Sequence, residues 1–175
     1  MELLIGCGSS RIKKVSVDGN FNWKQLITLD NNSDHNPDIV FNLEDINLPL
    51  KDNSIDEIHA YEVLEHTGQQ GDYQFFFKQF AEFYRILVPG GYLVGTCPMW
   101  NNKWAFGDPS HKRVIQRETF WFLNQDLYKK WVGNNAMSDF RYLWKGDFEE
   151  YYFHQNEFTF QFILKAIKPS RLDEE

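Results

Sequence analysis

Glu-Leu-Leu-Ile-Gly-Cys-Gly, residues 2–8, decides the fold. A short apolar run stops at two glycines one residue apart. The run is too short for a helix and reads as a buried strand. The glycines read as a strand exit where main chain can approach a ligand closely. Working outward, the pattern recurs. Leu26–Leu29 ends at Asp30, and Asp38–Leu43 has Ile-Val-Phe at its centre. Ile55–Tyr61 is a fourth run, and Tyr92–Cys97 a fifth. Gly71 to Val88 is the clearest helix: Phe76, Phe80, Phe83 and Leu87 recur at helical spacing. Asp72 stands at its N-cap, and Pro89-Gly90-Gly91 stops it. Strands alternating with helices or polar loops predict an α/β, doubly wound, mostly parallel sheet.

The final third changes character. Residues 101–117 are polar and carry Trp104, and residues 118–132 read as helix, in one piece or two. Phe158, Phe160, Phe162 and Leu164 share one strand face. Residues 140–153 would pair with them as an antiparallel hairpin on the sheet edge. Ser9 to Lys24 shows no evident crossover helix, and residues 15–19 read as turn or strand. A length of 175 residues implies one domain. Phe 16, Tyr 8 and Trp 6 exceed what one small core takes, so some aromatics should line a pocket or partner surface.

A net charge of −7 argues against nonspecific binding to duplex DNA, which needs many cation–phosphate contacts. It leaves a local nucleic-acid contact open. The apolar runs fall short of a membrane span, and the N-terminus lacks a basic, leader-length signal. Cys7 and Cys97 make neither a disulfide framework nor a zinc spacing. The expectation is a cytoplasmic protein with reduced thiols, no membrane and no metal.

In doubly wound sheets ligands bind beyond the carboxyl ends of the strands. The residues there are Gly6 and Gly8, then Asp30, then Asn42 and Leu43, then Glu62 and His66. Asp30 can accept both ribose hydroxyls of a nucleoside, or serve as a helix cap or a solvated loop acid. Cys7 reads as a small packed residue. Cys97-Pro98 suggests either a nucleophile or a buried structural thiol, and the second is favoured.

Taken in order, Leu-Leu-Ile-Gly-Cys-Gly, residues 48–58, Val63-Leu64-Glu65-His66 and residues 85–91 resemble class I S-adenosylmethionine (SAM)-dependent methyltransferases of the small type-11 kind. The resemblance covers about residues 1–98. Residues 104–115 are similar to a compact, largely phage-encoded branch of that family. It implies a Rossmann-like sheet of the seven-strand methyltransferase type, with a cofactor half at about 1–98. A substrate-cap segment at about 99–135 and a C-terminal hairpin at about 140–168 would complete a single domain.

The resemblance also implies roles. Gly6, Cys7 and Gly8 would pass under the methionine part of SAM. Asp30 would hold the ribose, with Asn31 beside it. Asn42 and the Leu43 backbone would edge the adenine, and Glu62 and His66 would lie near the methionine end or the methyl exit. Asn42 stands where relatives often carry Asp, and a third glycine is missing from Gly-Cys-Gly-Ser-Ser-Arg. Trp100, Trp104, His111 and Arg113 would cap the transfer site, Trp stacking on a planar acceptor and Arg pairing with an anionic one. His111, steered by Asp108, would take a proton. Asp34-His35 and His154 read as isolated surface residues.

The implied activity is methyl transfer from SAM, by positioned in-line attack, to an unidentified acceptor: a small molecule, a nucleotide or sugar, or a protein. The Asn/Asp-Pro-Pro-aromatic tetrad of base-methylating relatives is absent after the fourth strand, which disfavours DNA bases. A non-catalytic SAM-binding module or partner subunit is the alternative, and a nicotinamide-dependent oxidoreductase a weaker one. With no helices ahead of the first strand, the site would be open, or closed by the Trp-rich segment or another subunit. A homo-oligomer is therefore a hypothesis.

Overall fold

The computed structural model describes residues 1–173. Seven strands form one sheet: β1 Glu2–Ile5, β2 Leu26–Asp30, β3 Ile39–Val40, β4 Ile55–Tyr61, β5 Leu87–Pro98, β6 Phe148–Gln155 and β7 Thr159–Ala166. Their spatial order is β3-β2-β1-β4-β5-β7-β6. The first five run parallel, and β7 joins β5 antiparallel. The sheet is the doubly wound α/β arrangement with an antiparallel C-terminal hairpin. The order reverses between β1 and β4, which places a ligand crevice at their carboxyl ends.

The strands form where short apolar runs meet a glycine, an acid or a turn. Two expected spans change. The third strand shrinks to Ile39–Val40, because Asn42 caps a 3-10 turn at Leu43–Asp45 and draws the chain out of the sheet. The fifth strand begins at Leu87 rather than Tyr92. Pro89-Gly90-Gly91 does not lie after the helix in a loop; it sits inside β5, at the register shift between Ile55↔Leu87 and Glu57↔Tyr92. A bulge accommodates a proline and two glycines that a regular ladder would reject.

The helix α1, Tyr73–Ile86, starts at Asp72, whose side chain accepts from the Phe75 N–H. It buries Phe76, Phe77, Phe80 and Phe83 against one sheet face, each side chain contributing roughly 1.5–3 kcal/mol. Short helices α2 Lys103–Gly107, α3 Arg117–Trp121 and α4 Gln125–Trp131 follow. Phe120, Leu123 and Tyr128 extend the same core towards Phe160 and Phe162. The hairpin strand starts at Phe148, not Phe140. Residues 141–143 form a turn that lays the buried Trp144 against Phe148. Phe158 lies before β7 and is exposed, so it leaves the face shared by Phe160, Phe162 and Leu164.

No helix spans residues 9–24. The opposite sheet face there is covered by loop, with Val15 packed on Leu4, Tyr61 and Ile163. Among the described residues no helix is long and apolar enough to cross a membrane.

Candidate functional site

Gly6 leaves β1 with φ +57, and a Cβ there would stand 2.2 Å from Val63 Cγ2. Only glycine permits that backbone and that approach. Gly8 also has a left-handed φ, +51, and faces open space. Its N–H donates to Asp30 Oδ2 (2.8 Å), and the Asn32 N–H donates to Asp30 Oδ1 (2.9 Å). The acid at the end of β2 is thereby tied to the glycine loop at the end of β1. Burial opposes ionisation of Asp30, but these N–H groups and His35 outweigh it and hold the carboxyl below its usual range.

A cleft of about 660 Å³ opens beyond these strand ends. Gly6, Gly8, Asp30, Asn31, Asn42, Leu43, Glu62 and His66 all line it. Of the residues the sequence assigned to a cofactor, Cys7 is the exception: its side chain packs on the opposite face with Leu4 and Val15. His35, read from the sequence as an isolated surface residue, also lines the cleft, its Nδ1 3.2 Å from Asp30 Oδ1. It is brought there by a 3-10 turn, Ser33–His35, capped by Asn32.

Glu62 follows β4 with φ +54, a conformation that costs a non-glycine residue about 1–3 kcal/mol. Its backbone N–H is held by the Thr96 carbonyl (3.0 Å), and its Oε1 is buried with no partner. The strain aims a carboxylate at a junction. A second pocket, about 290 Å³, shares Glu62 and His66 with the cleft and adds Glu65, Pro98, Asn102, Trp104, Asp108, His111 and Phe158.

The segment after α2 closes over both. Pro109, Ser110 and Lys112 line the cleft, and Lys112 Nζ reaches Glu44 Oε1 (2.8 Å) across it. Ser110 Oγ donates to Asp108 Oδ1 (2.5 Å) and stands 3.1 Å from His66 Nδ1. His111 packs edge to face on His66, centroids 4.6 Å apart. Its Nε2 is 3.9 Å from Asp108 Oδ2, too far for a hydrogen bond, so Asp108 orients Ser110 more directly than His111.

Arg113 is not available to an acceptor. It is buried, donating to the Leu64 carbonyl, Thr67 Oγ1 and Gln79 Oε1. Burial lowers its pKa to about 10. It fastens the cap to the turn after β4 instead. Trp104 lines the second pocket, whereas Trp100 is exposed and lines neither cavity. Cys97 is fully buried, and burial pushes its thiol well up, which suits a structural thiol and not a nucleophile.

The sequence reading missed Glu65. It lies in the 3-10 turn Leu64–His66, is 2% exposed, and neither carboxyl oxygen makes a hydrogen bond of normal geometry. Burial pushes its pKa up to about 8; its own backbone N–H pulls the other way, and the Glu62 carboxylate adds to the rise. Burial, then His111, lowers the pKa of His66.

One cleft thus collects main chain without a Cβ at Gly6 and Gly8, a buried carboxylate at the end of β2, and a buried, unpartnered Glu62 oxygen after β4. Residues 3–95, more than half of the chain, match the family described as the methyltransferase domain. The chain belongs to that family and is a SAM-dependent methyltransferase.

Solved structures agree on the fold. A SAM-dependent methyltransferase from Archaeoglobus fulgidus is 16% identical with a TM-score of 0.56, over 94% of this chain and 85% of that one. One from Methanosarcina mazei is 18% identical with a TM-score of 0.55, over 95% and 92%. The N-methyltransferase NodS from Bradyrhizobium japonicum, solved with S-adenosyl-L-homocysteine, is 14% identical with a TM-score of 0.50, over 94% and 76%. No curated protein matches the chain in sequence.

Proposed function

We propose that the chain transfers a methyl group from SAM, held in the larger cleft, to a small acceptor held in the Glu62–Trp104–His111 pocket. The observation that carries this is the shared wall: Glu62 and His66 border both cavities, so donor and acceptor would meet there. SAM, when bound, supplies a methyl already activated by a positive sulfur. The chain's own work is alignment, which can supply on the order of 7–11 kcal/mol.

Gly6 and Gly8 let main chain underlie the amino-acid end, Asp30 and Asn31 hold the ribose, and Asn42 and Leu43 edge the base. The free Glu62 oxygen receives the donor's ammonium or steadies its sulfonium. Trp104 and Phe158 form an apolar rim suited to a flat acceptor. Where that acceptor carries a proton, His111 takes it, while Asp108 orients the neighbouring Ser110. The 290 Å³ pocket favours a small molecule or a nucleotide or sugar over a folded protein. Residues 104–115 support membership of the compact, phage-like branch, with a cytoplasmic site of action.

Calorimetry with S-adenosylhomocysteine should show micromolar-range binding. Incubation with methyl-labelled SAM and fractionated cell extract should then place label in the small-molecule fraction. Label confined to protein or nucleic acid would overturn the acceptor class; binding without transfer to any fraction would leave a SAM-binding module in place of an enzyme.

A further inference from the structure

We propose that Glu65, His66 and His111 form a binding site for a divalent transition-metal ion, with open coordination positions towards the smaller pocket. The three side chains come from a 3-10 turn and from a loop more than forty residues away, yet their donor atoms lie within 4.8 Å of one another. Donors on an ion with bonds of about 2.1 Å stand roughly 3–4 Å apart, so a small side-chain rotation closes the set.

An independent observation points to a ligand. Glu65 is 98% buried, and neither carboxyl oxygen makes a hydrogen bond of normal geometry, although its own backbone N–H and the Cys97 thiol lie close by. Native folds rarely leave a buried acid unsatisfied, and an absent ion is one of the few explanations. Each histidine also has an oxygen beside its Nδ1, the kind of partner that fixes a ligating imidazole. Ser110 Oγ spends its proton on Asp108, so it accepts from His66 Nδ1 (3.1 Å). His111 Nδ1 faces the Ala105 carbonyl (3.4 Å). With Nδ1 of each ring carrying the proton, each Nε2 keeps its lone pair for an ion.

The local charge also favours a cation. Glu62 and Asp108 line the same pocket, and the guanidinium of Arg113, close enough to act on Glu65, is spent on Leu64, Thr67 and Gln79. Two imidazoles and a carboxylate suit zinc, cobalt, iron or nickel better than magnesium or calcium. Three protein donors beside a cavity leave room for a further ligand, as catalytic rather than structural sites do. The contrast within the molecule is informative. Glu2, Glu57 and His59 form a second cluster of the same ligand types, but Lys13 Nζ already sits 2.7 Å from Glu2 and 3.1 Å from Glu57. That cluster is closed by the protein's own cation, and the one at Glu65 is not.

Metal binding stands on this geometry alone. That the ion receives the methyl acceptor rests on the transferase reading: an acceptor oxygen or nitrogen on the ion would shed its proton more readily, and His111 would then act as a ligand instead of a base.

The test is titration of chelator-treated, full-length protein with Co²⁺, followed by visible absorption. One equivalent should develop ligand-field bands, and affinity should fall at least tenfold in both Glu65→Gln and His111→Ala. His111 lies in a loop, so its variant keeps the test decisive if Glu65→Gln fails to fold. Absence of binding, or equal binding by a folded variant, overturns the site. S-adenosylhomocysteine calorimetry on the same metal-free protein reports separately on the transferase reading and should be unaffected by the chelator.

Discussion

Gly6→Ala tests the geometry that joins fold to site. The new methyl would stand 2.2 Å from Val63 Cγ2 and 2.8 Å from Val63 Cβ, well inside contact distance. At φ +57 an alanine also costs roughly 1–2 kcal/mol before any clash. Overpacking adds about 1–3 kcal/mol. The sum, about 2–5 kcal/mol, lowers the melting temperature by roughly 4–20 °C in a domain of this size. Gly8→Ala is the matched control. It has a similar φ of +51 but nothing within 4 Å of its Cβ. It should cost only the backbone part, roughly 1–2 kcal/mol. Because Gly8 lines the cleft, its larger effect should be on donor binding. Adding Val63→Ala to Gly6→Ala removes the 2.2 Å contact with Cγ2 but leaves the 2.8 Å contact with Cβ and the backbone strain. A thermal-denaturation cycle over the four Gly6/Val63 combinations should therefore show favourable coupling that recovers only part of the overpacking cost, about 0.5–2 kcal/mol. If Gly6→Ala melts with wild type, or if Gly6 and Gly8 behave alike in both assays, the close approach of β1 to the turn after β4 is wrong.

Three further outcomes follow from particular contacts. Asp30→Asn keeps the shape but loses charge and an acceptor; S-adenosylhomocysteine affinity should drop ten- to a hundredfold by calorimetry, since hydrogen bonds to a charged group are worth about 1.5–3 kcal/mol. Lys13→Met leaves Glu2 and Glu57 buried without their shared cation and should cost roughly 3–5 kcal/mol in denaturant melts; an unchanged midpoint would show that the cluster is not buried as described. Acid should destabilise the fold through the same cluster. Burial opposes ionisation of Glu57, but His59 and Lys13 outweigh it and hold its carboxyl at about 2, while burial holds His59 neutral with a lowered pKa. Both folded values are depressed, so the unfolded chain binds more protons as pH falls. The His59 contribution erodes below about pH 6.5, and the Glu57 contribution, up to about 3 kcal/mol, between about pH 4.5 and 2. Glu57→Gln should flatten the acid limb of a stability–pH curve; an identical slope would refute the assignment.

The sequence shows most of the cleft at the strand ends and little of the smaller pocket, for a physical reason. Asp30 ends a strand, and Gly6, Asn42 and Glu62 follow one; a strand's period and stop signal are local. Topology then brings their positions to one edge. The smaller pocket depends on a loop folding back over that edge. Nothing in the spacing of Glu65, His66 and His111 reveals that they meet. Arg113 looks like an exposed anion receptor until the loop turns it inward to Thr67 and Gln79. His35 is one turn from Asp30 but reads as surface because 3-10 turns have no apolar signature. Pro89-Gly90-Gly91 is legible as a break yet not as a bulge, since only the partner strand, shifting register at Ile55 and Glu57, decides which it is.

The loop between β1 and β2 poses the remaining question: how a sheet face keeps its register without a crossover helix upon it. Strand alternation puts Glu2 of β1 and Glu57, His59 and Tyr61 of β4 on that face. An apolar loop could cover them only by stranding two carboxylates. Residues 11–24 answer with matched donors instead. Lys13 bridges Glu2 and Glu57, the Lys24 N–H reaches Glu2 (2.8 Å), and Tyr61 joins His59 Nδ1 (2.7 Å) to the Val15 backbone. Trp23 then closes over Lys13 and His59. A one-residue slip of β4 would drive Glu57 and His59 into the phenylalanine core beneath α1, where no cation waits. Charge on this face thus specifies register more sharply than greasy packing would. The register of β4 against β1 in turn sets Val63 against Gly6, and Glu62 between the two cavities.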